Sequence, residues 1–251
     1  MRILITILLC HLLAGCAAFD CGSSGADRPA WNGKVESYGA LHAIHHEGQT
    51  GEMVTLDTML PDPHLYALGA LTGLSGEVTV IGGTAYLSYP EGMESSRTEM
   101  TSQSRAGATL LVAAEVEAWR SVTTADPIPF EKLDEEIARL AVSAGLGPDA
   151  RFPFLMEGEF VDLQWHVIDG TRLTGNETSC ADHLKASVRA RRDRVSATLV
   201  GFYSNRDQGV FTRRGSRTHI HCLLDEPVDA GHVDHVDIPA GTVIKFPRGR
   251  D

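Results

Sequence analysis

The chain has 251 residues, 43% hydrophobic and 22% charged, a balance that suits one globular domain with a full core and fits no class of disordered chain. Its formal charge of −11, from 33 acidic against 22 basic side chains, argues against nucleic acid as a partner, because phosphate contacts need concentrated Lys and Arg.

Met1-Arg2 precede an apolar run over residues 3–13, too short to span a bilayer permanently, so residues 1–15 read as an export signal. The run ends in Leu13-Ala14-Gly15-Cys16, which resembles a bacterial lipobox, where small residues before a cysteine allow lipid attachment to its thiol. Cys16 is then the lipid attachment residue, and the protein is expected to be an exported, membrane-anchored lipoprotein of the cell envelope, touching the membrane through that anchor only. Ordinary secretory cleavage near Ala17-Ala18 is the plainer alternative. Residues 16–34, with Gly22, Ser23, Ser24, Gly25 and Pro29, have the composition of a tether, and residues 35–251 form the folded domain. With Cys10 lost and Cys16 lipidated, Cys21, Cys180 and Cys222 remain; pairing of Cys180 with either of the others, or no pairing, stays open.

Strand signals dominate the first half. Residues 38–45 alternate loosely, and residues 54–60 read as a short helix or turn leading to Pro61 and Pro63. Residues 76–87 form a β-hairpin by turn chemistry, with β-branched arms on either side of Gly82-Gly83. Residues 109–122 lean to strand. Pro129 suits a first helical turn, Phe130, Leu133, Ile137, Leu140 and Ala141 recur at helical spacing, and Gly145 supplies the stop. Residues 154–168 read as a strand from the alternation of Val161, Leu163, Trp165 and Val167. A helix is expected over 182–192, with Arg189, Arg191, Arg192 and Arg194 on its solvated face. Strands follow at 195–202, 210–212 and 218–224, then 233–238 and 242–246 around the turn Pro239-Ala240-Gly241. The order predicts an α+β domain, mostly β, with mixed or antiparallel sheet and two or three helices.

Side chains two apart on a strand share a face, so His219 and His221 can aim both imidazoles at one point while Ile220 faces the opposite side. The chain then turns through residues 225–231, and His232 opens the next strand, bringing a third imidazole beside the first two. Three histidines with an open coordination position are a catalytic style of ligation, so His219, His221 and His232 are the candidate ligands of a divalent metal, zinc by preference. His45, His46 and His64 read as surface or packing residues, and His235, three after His232, as facing away.

Thr218-His219-Ile220-His221 and Ala230-Gly231-His232-Val233 are similar to the H-L-H and G-G-H-V signatures of the α-acetolactate decarboxylase family, with the family's separation between second and third histidine. Three further blocks agree in order: Gly39-Ala40-Leu41 with residues 56–60, Leu74-Ser75-Gly76-Glu77-Val78 followed by Gly83 and Tyr86, and Ala197-Thr198-Leu199-Val200-Gly201-Phe202. The resemblance runs from about Ser37 to Phe246. It implies zinc on the three histidines, a glutamate at the metal centre at Glu77, and conversion of acetolactate, a small 2-hydroxy-3-oxo acid, to acetoin and carbon dioxide. It is also consistent with a homodimer. Glu77 is the candidate acid/base group. Three departures stand out. His166 occupies the position of the family's substrate-binding arginine, and an imidazole cannot offer a carboxylate a bidentate fork, although a protonated one can substitute in part. Ala70 replaces a threonine, and no glutamate follows Glu226, where the family has a second, later one.

Two other readings compete. A non-catalytic lipoprotein on the same fold would keep the metal site as a binding or structural element. A cupin-like protein, suggested by His219-x-His221, Glu226 and Pro239-x-Gly241, would use Glu226 as a ligand and leave His232 a bystander.

Overall fold

A computed structural model describes residues 31–60, 62–174 and 180–248. The export signal, Cys16, Cys21, most of the tether and Pro61 lie outside the described residues. Two antiparallel sheets carry the fold. The first contains β1 (Glu36–Tyr38), β2 (Val54–Thr55), β3 (Leu65–Leu71), β4 (Glu77–Ile81), β5 (Thr84–Glu91), β6 (Ser95–Thr101) and β7 (Gly107–Glu115), with α1 (Leu41–Glu47) between β1 and β2. Its order is β1-β7-β3-β4-β5-β6, with β2 beside β7. The second contains β8 (Trp119–Thr123), β9 (Phe152–Val167), β10 (Val188–Tyr203), β11 (Thr218–Asp225), β12 (Val228–Asp237) and β13 (Val243–Pro247), with α2 (Leu133–Ser143) and α3 (Cys180–Lys185) in its connections. Its order is β10-β11-β12-β9-β13-β8, and β10 also pairs with β9, so β9 to β12 close on themselves. The α+β expectation holds, and every strand pair is antiparallel.

The second sheet buries one face against α2. Leu133, Ile137, Leu140 and Ala141 of that helix pack with Phe152, Phe154, Leu163 and Trp165 of β9 and with Ile220, Cys222 and Val233. Burying each such large side chain contributes about 1.5–3 kcal/mol. The two sheets meet through Leu68 and Val112 on one side and Leu155, Val200 and Phe202 on the other, with Phe211 from the β10–β11 connection. Cys222 is buried and unpaired.

Several elements depart from expectation. Residues 38–45 are not a strand: Gly39, at φ 72°, ends β1, and α1 follows with Ala43 and Ile44 buried and Gly48 closing it at φ 65°. The helix expected over 182–192 stops at Lys185, and Val188 begins β10, whose Arg189, Arg191, Arg192 and Arg194 pair with β9 residues His166, Gln164, Leu163 and Val161. A full ladder with β9 overrides the helical composition of that run, and the arginines occupy an exposed strand, with Arg194 on Glu159 at 2.6 Å and Arg191 on Asp162 at 2.7 Å. Residues 109–122 divide into β7 and β8. Residues 210–212 lie in a loop carrying one isolated bridge. Pro129 caps a 3-10 turn ahead of α2 and does not enter it. Strands β3 and β6 were not foreseen. The turn expected at 225–231 shrinks to Glu226-Pro227, which places His232 inside β12 and not at its start.

Candidate metal centre and its cavity

Strand periodicity builds the site from four strands. On β11, His219 and His221 share one face while Ile220 and Cys222 enter the core behind it. His221 is registered against His232 of β12, and His232 against His166 of β9, so three imidazoles form one row across neighbouring strands. Gly231 lets β12 approach β9 closely: a Cβ there would meet the indole Cδ1 of Trp165 at 2.8 Å. The first sheet supplies the opposing wall. Glu77 and Thr79, two apart on β4, face the histidines, while Val78 and Val80 turn into that sheet's own core.

The three expected ligands are brought together. One ring nitrogen from each of His219, His221 and His232 lies within 4.8 Å of the other two. His219 Nδ1, His221 Nε2 and His232 Nδ1 are buried without a hydrogen-bond partner. The remaining nitrogens are held in part by the protein: Thr79 Oγ1 lies 2.9 Å from His221 Nδ1, and the Phe211 backbone carbonyl accepts from His219. A buried polar atom left unpaired costs about 1–3 kcal/mol, and three on one point are what a cation would satisfy. Imidazole donors in this number fit zinc or another divalent transition ion, and Thr79 is placed to orient the His221 ring toward one.

Burial sets the charge state. It lowers His219 to about 3 and takes His221 and His232 well below the ordinary imidazole value, so all three are neutral at physiological pH, the form in which an imidazole can donate to a cation. These histidines bind fewer protons folded than unfolded between their folded values and about 6.5, so stability of the metal-free protein rises with pH there and is lost as pH falls. The metal-free protein is therefore expected to be less stable at pH 5 than at pH 7. Urea unfolding of metal-free protein at the two pH values should show this; equal stabilities would contradict it.

Glu77 is buried, and burial pushes its carboxyl well above the usual range, partly offset by the Ile168 N–H donating to Oε1 at 3.3 Å, while Asp234 nearby raises it further. Its oxygens lie 3.8 Å from His221 Nε2 and 4.0 Å from His166 Nε2. His166 gives Nδ1 to both oxygens of Asp234 at 3.0 Å, which turns Nε2 toward Glu77. Ala70, registered against Glu77, lines the same cavity of about 110 Å³, as do Ile44, Leu74, Leu110, Phe130 and Arg213.

Asp234, Thr79, Phe211 and Arg213 were missed by sequence reasoning. Thr79 and Asp234 stand two residues from Glu77 and His232, a spacing that the same strand rule could have flagged. His46 and His64 are exposed as expected, whereas His45 is half-buried at the cavity wall, edge-on to His183 with ring centroids 4.4 Å apart. His235 lies outside the cluster, against Phe130. Glu226 is exposed at the β11–β12 turn, and the cluster contains His232, so the cupin-like ligand assignment is not what the strands bring together.

The sequence profile of the alpha-acetolactate decarboxylase family matches residues 65–246. Among solved structures, alpha-acetolactate decarboxylase from Bacillus subtilis strain 168 superposes with a TM-score of 0.64 at 15% identity, covering 86% of this chain and 87% of that one. Acetolactate decarboxylase from Bacillus subtilis subspecies spizizenii gives 0.66 at 14% identity, with 86% of each chain covered. A Staphylococcus aureus protein described as similar to alpha-acetolactate decarboxylase gives 0.63 at 18% identity over 84% of each chain. No curated protein matches the sequence. At these identities the superpositions show a shared fold, and the profile match over most of the chain shows the lineage: this chain belongs to the alpha-acetolactate decarboxylase family.

Proposed function

We propose that the protein is a zinc-dependent decarboxylase that converts 2-acetolactate, or a related 2-hydroxy-3-oxo acid, to acetoin and carbon dioxide. The observation that carries this reading is the set of three unpaired, buried imidazole nitrogens facing the buried Glu77 across a small cavity, in a chain of this family. When bound, a divalent ion supplies Lewis-acid polarisation of the substrate's neighbouring hydroxyl and keto oxygens. His219, His221 and His232 would hold it as neutral donors, with Thr79 2.9 Å from His221 Nδ1 fixing that ring. Loss of carbon dioxide breaks the bond between C2 and the carboxylate carbon, leaves the electron pair with the substrate and requires one proton in return. Glu77, whose burial favours the protonated form, supplies that proton to carbon. His166, turned by Asp234, orients the substrate beside it.

Zinc-loaded protein incubated with acetolactate should form acetoin. No acetoin above the rate of the His219→Ala variant would sink the proposal, and tight zinc binding without turnover would favour the non-catalytic alternative. The lipobox-like Leu13-Ala14-Gly15-Cys16 supports placing this activity at the cell envelope on a lipid anchor. Labelled fatty acid incorporated equally by the Cys16→Ala variant would contradict that placement.

A further inference from the structure

We infer that Arg213 is the residue that receives the substrate's carboxylate, giving the cavity its selectivity for a small acid over its neutral counterpart. The inference rests on the proposed chemistry only for the kind of ligand, a compact 2-hydroxy acid bound at the three-histidine centre. Arg213 lines the same cavity as Glu77, His166, His219 and His232. It also borders an adjoining cleft of about 610 Å³ that shares Leu41, Phe130, Ser216 and Thr218 with the cavity, so Arg213 stands where the two adjoin.

Its charge is uncompensated. Among the described residues Arg213 has no ion pair and no hydrogen bond, and its field acts on the rings of His219 and His232. Of the two acids bordering the adjoining cleft, Asp134 is already taken by the Arg217 N–H at 2.7 Å and the Thr218 hydroxyl at 2.6 Å, and the exposed Glu131 makes no ion pair with Arg213. Asp234, inside the cavity, is committed to His166, and the Glu77 carboxyl faces His221 and His166 at 3.8 and 4.0 Å and accepts from the Ile168 N–H. A half-buried arginine in a cavity also lined by Leu41, Ile44 and Phe211, with no anion of its own, is a receptor for one from solution. His166 cannot take this role, since its Nδ1 is spent on Asp234 and an imidazole has no fork.

The loop that carries Arg213 is held in place. The Asp207 carbonyl accepts from the N–H groups of Val210, Phe211 and Thr212, the Asp207 carboxylate is fixed by Ser204 at 2.6 Å and Arg151 at 2.8 Å, and Phe211 is fully buried. A β-turn from Arg213 to Ser216 closes with a 3.0 Å hydrogen bond and uses Gly215 at φ 84°. The cation is therefore pre-positioned two residues beyond the carbonyl that orients His219.

Calorimetric titration of zinc-loaded protein with 2-hydroxyisobutyrate and with 2-hydroxyisobutyramide tests this, because the two differ in charge and hardly in shape. The wild-type protein should prefer the acid. Arg213→Met should lower affinity for the acid about 10- to 100-fold while leaving amide affinity and zinc content unchanged, and Arg213→Lys should restore part of the preference. An acid preference that survives Arg213→Met, or none in the wild-type protein, overturns the inference. Failure of the decarboxylation proposal shows elsewhere, as zinc-loaded protein that binds the acid through Arg213 and forms no acetoin.

Discussion

Replacing His221 with alanine should remove the bound metal and with it the activity, leaving acetoin formation lower by at least about 10³-fold, which corresponds to several kcal/mol of transition-state stabilisation. His221 is the most enclosed of the three histidines: its side chain is fully buried between the sheets, its Nδ1 meets Thr79, and its Nε2 faces the other two imidazoles and Glu77. No neighbour can replace it, because the nearest other donors are the carboxyl of Glu77, 3.8 Å away and held toward its neutral form, and His166, anchored to Asp234. The substitution leaves a cavity as well, so circular dichroism and the elution volume of the variant should be compared with wild type. A folded His221→Ala protein that retains zinc at wild-type affinity would contradict the ligand assignment.

Glu77→Gln should separate metal binding from chemistry. The amide keeps the size of the side chain and can still accept from the Ile168 N–H, so the variant should fold and load zinc. It has no acidic proton to give, and kcat should fall about 10²- to 10⁴-fold, the range that a positioned acid/base group contributes. Burial raises the Glu77 carboxyl, so between the ordinary carboxylate range and its raised value the folded state binds more protons than the unfolded one. Glu77 therefore weakens the metal-free fold as pH rises, and Glu77→Gln should unfold at a higher temperature than wild type at pH 8 when both are free of metal. Wild-type kcat in Glu77→Gln would remove Glu77 from the chemistry. A metal-free variant that melts below wild type at pH 8 would mean that burial is not what governs this carboxyl.

The histidine centre was legible because two-residue periodicity is a rule of backbone geometry that survives any tertiary context. His219 and His221 had to share a face once the strand was recognised, and Glu77 could be found only through the matched block around it. The position of His232 was right in space and wrong in register, since the apparent seven-residue turn is a two-residue one and His232 sits mid-strand, directly opposite His221. β3 gave no signal because almost every residue from Leu65 to Leu71 is buried on both faces, which erases alternation. β6 was missed for the opposite reason: Ser95 to Thr101 is a polar edge strand with no apolar face to read. The arginine-rich start of β10 resembled a helix, and its ladder with β9 is a long-range pairing invisible to local propensity. Arg213 lies in a loop without periodicity, and its value comes from what surrounds it, which sequence does not display.

The relation between the two sheets sets the geometry on which the proposed chemistry depends. The second sheet contributes all three clustered imidazoles on a closed set of strands, and the first contributes the carboxyl that faces them. Site groups on strands are placed more precisely than groups on loops, and Arg213 is held by a loop whose backbone is tied to Asp207. The described residues include no helix long and apolar enough to cross a membrane.

X-ray absorption spectroscopy of the zinc-loaded protein reads the donor set itself. The expected spectrum shows one ion per chain with three imidazole nitrogens at about 2.0–2.1 Å completed by oxygen. Its imidazole signal should disappear in parallel from His219→Ala, His221→Ala and His232→Ala while persisting in Glu226→Ala. A sulfur donor, or a spectrum unchanged by His232→Ala, would contradict the three-histidine centre on which the rest of the chemistry depends.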